Sequence, residues 1–130
     1  GDDAIFRNSN IKTLKNLEEI GGYADFIDSQ VEDLGNLRKI GRDAIFRNSN
    51  IKTLKNLEEI GVNAYFINSQ VEDLGNLRKI GGDVYFGNAP IRNLGRLEEI
   101  GGKCYVSKNN EELIRLLKER GFEDKIVIQD

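Results

Sequence analysis

The apolar positions along this chain recur on a fixed period of 20 residues. Laid out in twenties, six rows begin at positions 1, 21, 41, 61, 81 and 101, and each opens with glycine. In the third row the apolar residues are Ala44, Phe46, Ile51, Leu54, Leu57 and Ile60, and the other rows repeat these places with little change. A period of this kind marks a solenoid, in which each unit stacks on its neighbours to bury a face that it cannot bury alone. Inside a row the spacing divides the backbone into two kinds. Ala44 and Phe46 are two apart, with Asp43, Ile45 and Arg47 pointing the other way, which is the period of a strand. Ile51, Leu54, Leu57 and Ile60 follow at intervals of three. On a straight α-helix that spacing drifts through about half a turn, whereas it fits 3₁₀ turns or an extended, polyproline-like run whose every third side chain faces inward. The recurrent glycine falls where the segments meet, at a turn that needs positive φ or close backbone approach.

The last row breaks the pattern. In EELIRLLKER, Leu113, Leu116 and Leu117 form a helical stripe, Asn109 or Asn110 can cap its start, Asn109 and Glu112 having the spacing of a capping box, and Gly121 ends the helix. KIVI then predicts one further strand. The chain therefore reads as a solenoid over 1–108 and a carboxyl-terminal cap over 109–130. The amino end has no comparable cap, so Ala4, Phe6, Ile11, Leu14 and Leu17 are expected to lack a covering row. A symmetric homodimer in which two first rows meet is the simplest cover for that edge.

The segment AIFRNSNIKTLKNL follows the pattern L-x-L-x-x-N-x-L-x-x-L-x-x-L, with Ala44, Phe46, Ile51, Leu54 and Leu57 in the apolar slots. In this it resembles a leucine-rich repeat, over residues 1 to about 109. GGDVYFGNAPIRNLGRLEEI is similar to the short G-G-x-L-x-L-x-N-T-P-I-x-x-L-x-x-L repeats of bacterial and phage proteins, and more remotely the rows resemble those of receptor L domains. The family's asparagine slot holds Ser9, Ser29, Ser49 and Ser69, then Ala89; serine still bonds loop backbone, and alanine cannot. The resemblance implies an α/β solenoid: a right-handed coil with one parallel β-sheet, a 3₁₀ or extended convex side and a helix-plus-strand cap. It also implies that the sheet face is the binding surface.

The stretch DAIFRNSNIKTLKNLEEIG occurs twice, at 3–21 and 43–61, so the true unit is a pair of rows duplicated recently, in evolution or by engineering. Between copies only Asp2 and Arg42, Gly22 and Val62, Tyr23 and Asn63, Asp25 and Tyr65, and Asp28 and Asn68 differ. All fall in the strand and its flanking turns, a pattern of selection on the sheet face. The outward columns there are rich in tyrosine, isoleucine and arginine, residue types typical of recognition surfaces. Tyr23, Ile27, Ile45, Arg47, Tyr65, Ile67, Tyr85 and Tyr105 are thus the candidate ligand-binding residues, for a protein or peptide partner. β-branched and aromatic residues also stabilise an exposed sheet without any ligand. The alternative is then a purely structural or engineered repeat protein that self-associates through Ala4, Phe6, Ile11, Leu14 and Leu17. Three further columns alternate in charge, for example Glu18, Arg38, Glu58, Arg78 and Glu98, so slipping the stack by one row would set like charges together.

With 19 basic against 22 acidic residues, no long-range field favours nucleic acid or an anionic membrane surface. No apolar run approaches the roughly 18 residues that span a bilayer, and no basic-then-apolar start reads as an export signal. The expectation is a soluble chain, in the cytoplasm rather than secreted. The single cysteine, Cys104, excludes an internal disulfide framework and lies in the inward column with Ala4, Ala24, Ala44, Ala64 and Val84. Without histidine, the common catalytic dyads and zinc ligand sets cannot be assembled. Asp3, Asp43 and Asp83 share a column but alternate with Tyr23 and Asn63, about 10 Å apart and too far for a shared proton or metal. No enzyme activity, cofactor or metal is expected.

Overall fold

Inward residues two apart at the head of each row form a strand, and the strands stack in row order. A computed structural model describes residues 2–130. In it Ala4–Ile5, Ala24–Asp25, Ala44–Ile45, Ala64–Tyr65, Val84–Gly87 and Cys104–Ser107 pair in parallel, and Ile126–Gln129 adds the seventh strand beyond Cys104–Ser107. Register follows the period: Ala4 lies opposite Ala24, Ala24 opposite Ala44, and Ala64 opposite Val84. Small residues in this column leave room for the next inward residue, and Phe26, Phe46, Phe66 and Phe86 are wholly buried. The phenylalanine rings stack down the coil at centroid separations of 5.1, 5.5, 5.2 and 5.6 Å, starting from Phe6.

The remaining side of the first five rows is extended apart from one turn, closed for example by the Leu57 N–H on the Leu54 carbonyl at 2.9 Å, and carries a second sheet beside the one expected. Glu19–Ile20, Lys39–Ile40, Glu59–Ile60, Lys79–Ile80 and Glu99–Ile100 form five parallel strands. Isolated parallel bridges join Thr13 to Asp33, and Thr53 to Asp73 to Asn93. An extended run with every third side chain inward points its peptide groups along the coil axis, where the neighbouring row supplies partners. A 3₁₀ turn would spend those groups within its own row. Ile51, Leu54, Leu57 and Ile60 are all fully buried by the arrangement.

Two kinds of turn residue bend the rows. Asn8, Asp28, Asn48 and Asn68 adopt φ of 57°, 54°, 53° and 57°, a region that asparagine and aspartate tolerate. Gly35, Gly75 and Gly95 take the second turn at φ of 58°, 54° and 54°, with Lys55 in the same conformation at 50°. The glycine that opens each row serves close approach instead. A Cβ on Gly41, Gly61, Gly81 or Gly101 would lie 2.1, 2.0, 2.2 or 2.1 Å from the carbonyl oxygen of the preceding row's glycine.

Helix α1, Glu111–Arg120, closes the far end by burying Leu113 and Leu117, and Gly121 ends it at φ 99°. The capping box expected from Asn109 and Glu112 does not form. The residue at the helix start is Asn110, and its side chain donates to the carbonyls of Gly87 and Ala89 at 3.2 and 2.9 Å. Leaving those carbonyls unpaired at the end of the coil costs more than a helix start that can take water. Among the described residues no helix is long and apolar enough to cross a membrane.

Candidate recognition face

The outward side of the seven-stranded sheet is divided by its columns into structural and free positions. The column of Asp3, Tyr23, Asp43, Asn63, Asp83 and Lys103 is largely structural. Oδ1 of Asp3 accepts the Tyr23 N–H at 3.0 Å, and Oδ1 of Asp43 accepts that of Asn63 at 2.9 Å. Asn63 and Asp83 continue the ladder onto Asp83 and Lys103 at 2.8 and 2.9 Å. These side-chain oxygens, three carboxylates and the Asn63 amide, therefore hold neighbouring rungs together, a role that the columns alone did not disclose.

The next column presents aromatic surface. Tyr65, Tyr85 and Tyr105 stack with centroids 4.9 and 4.8 Å apart and interplanar angles of 2° and 6°. Loss of hydration between the flanking rings, then the Asp83 carboxylate, pushes the Tyr85 phenol above its ordinary range. Stacking of this kind contributes about 0.5–1.5 kcal/mol per pair, so these tyrosines support the fold as well as facing outward.

Five of the eight candidate residues converge. Ile27, Ile45, Arg47, Tyr65 and Ile67, with Asp43, line one open depression of about 300 Å³. Tyr85 and Tyr105 extend its wall along the coil, whereas Tyr23 stands in the structural column and is half-buried. Asp25, in an outward column, is nevertheless only 5% exposed. Arg7 Nη2 lies 2.7 Å from its Oδ2, and its Oδ1 accepts the Ile27 N–H at 2.9 Å. The signal for this pair was the presence of arginine one row before aspartate, two columns away.

In the first row Ile11 and Leu17 are 50% and 37% exposed, while their counterparts Ile51 and Leu57 are fully buried. Ala4 and Phe6 are partly buried, and Leu14 is already buried. Ile5, outside the residues singled out from the sequence, is the most exposed large apolar residue at 62%.

The charge columns yield two ion pairs within a column, Arg92 with Glu72 at 3.0 Å and Lys79 with Glu99 at 3.7 Å, and a diagonal one, Arg38 with Glu19 at 3.2 Å. Lys55 reaches diagonally to Asp33 at 3.0 Å. The Gly35 N–H first, then this lysine, draws the Asp33 carboxyl below its usual range. Comparison with protein-family models, curated proteins and solved structures finds no match to the chain. Its own geometry thus defines it as a repeat protein of stacked 20-residue units with parallel strands.

Proposed function

We propose that this chain is a non-enzymatic recognition scaffold of the leucine-rich repeat kind, offering the outward face of its seven-stranded sheet to a protein or peptide. The observation that carries this reading is the convergence of Ile27, Ile45, Arg47, Tyr65 and Ile67 on one apolar depression continuous with the tyrosine stack. Two of the five positions that differ between the otherwise identical copies, 23/63 and 25/65, lie in the outward columns of this face, and the other three lie in its flanking turns. Arg47 and Tyr65 combine a cation and an aromatic ring, the residue types that carry most binding energy at interfaces. A shallow, open surface suits an extended segment better than an enclosed small molecule.

Selection of a random peptide library against the immobilised protein tests the reading. Selected peptides are expected to be displaced by the wild-type chain and not by a variant combining Ile45→Ser and Ile67→Ser, whose circular dichroism should stay native. Peptides displaced equally by both would place binding elsewhere and remove the proposal. A second reading rests on the exposure of Ile5, Ile11 and Leu17: a second copy covers the first row and the chain acts as a self-associating scaffold. Sedimentation over a range of concentrations tests it, and a strictly monomeric species at high micromolar concentration would exclude it.

A further inference from the structure

The duplicated rows contain an internal experiment. Residues 3–21 and 43–61 are identical, so Arg7 and Arg47 occupy equivalent places, and the row after each differs at the facing position, Asp25 in one case and Tyr65 in the other. In the first copy the guanidinium meets a carboxylate at 2.7 Å, and that carboxylate also accepts the Ile27 N–H and is 5% exposed. In the second copy tyrosine replaces the carboxylate. Among the described residues Arg47 makes no ion pair. It stands in one column between Ile27 and Ile67, at the rim of the apolar depression.

We infer that this depression takes an extended peptide in which an aspartate side chain lies beside an aliphatic one, the aspartate pairing with Arg47 as Asp25 pairs with Arg7. The inference rests on the reading of the sheet face as a recognition surface and specifies its ligand. Charge complementarity fixes the acidic end. Among the residues lining the depression the other carboxylate is Asp43, four residues back along the chain, on the order of 12 Å away, its Oδ1 engaged by the Asn63 N–H; Asp28, beside Arg47 in the turn, has its Oδ1 held by the Asn48 amide at 3.1 Å. A ligand carboxylate therefore finds attraction at one end of the depression and repulsion at the other, which orients the peptide. Its aliphatic neighbour displaces water from Ile45, Ile67 and the Tyr65 ring. A charge-assisted hydrogen bond beside apolar walls is stronger than an exposed ion pair.

The probes are two doubly capped pentapeptides, Thr-Val-Asp-Val-Thr and its isosteric Asn counterpart, titrated into the full chain with amide chemical shifts as readout. The Asp peptide is expected to shift the amides of Ile45, Arg47, Tyr65 and Ile67 and to bind about tenfold tighter than the Asn peptide at low salt. That preference is expected to vanish in Arg47→Gln and to persist in Arg42→Gln, which changes net charge equally. Tyr65→Asp supplies the missing carboxylate from within and is expected to abolish the preference too; should it fail to fold, Arg47→Gln still decides. Equal binding of both peptides, or a preference that survives Arg47→Gln, overturns the inference and leaves the recognition face standing. If neither peptide shifts any amide of the face at millimolar concentration, the inference falls together with that reading of the depression.

Discussion

Adding one methyl group at Gly61 should divide the coil. The ideal Cβ there lies 2.0 Å from the carbonyl oxygen of Gly41 and 2.7 Å from its carbonyl carbon, both backbone atoms that no rotamer can move. A carbon against a carbonyl oxygen needs about 3.3 Å, so the third and fourth rows must part by more than about 1 Å at this corner. The Gly61 N–H reaches the Ile40 carbonyl at 2.8 Å and the Val62 N–H that of Arg42 at 3.2 Å. Parting the rows carries both beyond hydrogen-bonding distance. Two lost bonds with incomplete hydration of their groups cost about 3 kcal/mol. Because a solenoid's stability is a sum over neighbouring interfaces, the loss falls on one junction, and urea unfolding of Gly61→Ala followed by circular dichroism should become broader or biphasic. Val62→Ala is the control: the valine is 39% exposed at the same corner, and its removal should change stability by no more than about 0.5 kcal/mol. A Gly61→Ala chain that loses less than about 1 kcal/mol and keeps a single sharp transition would show that the rows slide freely past one another, and the role given to the opening glycine would be wrong.

Cys104 is buried, and burial pushes its thiol up to about 11, so iodoacetamide at pH 8 should label it only through unfolding; complete labelling of the native chain within minutes would contradict its place in the core. Asp33 has a folded-state pKa below its unfolded value, so its contribution is present above about pH 4 and is lost as pH falls through the lowered value. In Asp33→Asn the turn bond should survive, as Asn93 holds the Gly95 N–H at 2.7 Å, and acid titration of stability should show a smaller loss than in the wild type; parallel curves would refute the assignment. Glu58→Lys sets a third cation between Arg38 and Arg78 and should cost up to about 1 kcal/mol at low salt, less as salt rises; a salt-independent loss would mean that packing rather than charge governs this column.

How much of this was legible in the sequence depended on whether a feature repeats. The inward columns of alanine or valine, phenylalanine, isoleucine or valine, and leucine recur in five successive rows, and the strand and the coil follow from them, as the terminal helix follows from the break in the sixth. The second sheet was hidden because a period of three places side chains identically in a 3₁₀ turn and in an extended run; the difference lies in where peptide groups point, which no side chain records. Diagonal pairs were hidden for another reason. Arg7 with Asp25 and Lys55 with Asp33 join different columns, 18 and 22 residues apart, so comparison down a column does not reveal them. Lys55 at φ 50° is likewise invisible until its column is seen to contain Gly35, Gly75 and Gly95 at the same turn.

The constraint that makes the rows alike also explains where they differ. A residue in an inward column touches the rows above and below, so a change there must be answered twice; a change between Asp25 and Tyr65 is answered only on the surface. The column Ile5, Asp25, Ile45, Tyr65, Tyr85 and Tyr105 can therefore hold an aliphatic residue, a carboxylate or a stacked ring while the strand register beneath stays Ala on Ala. Asp25 satisfies Arg7 and closes one position; Tyr65 leaves Arg47 unpaired and builds the wall of a depression with the next tyrosines. Exchange of Asp25 for Tyr65 at one outward position, among four differences between the second and fourth rows, thus accompanies the change from an internally neutralised arginine to one that presents a cation between isoleucines, and the inward residues beneath are the same in both rows.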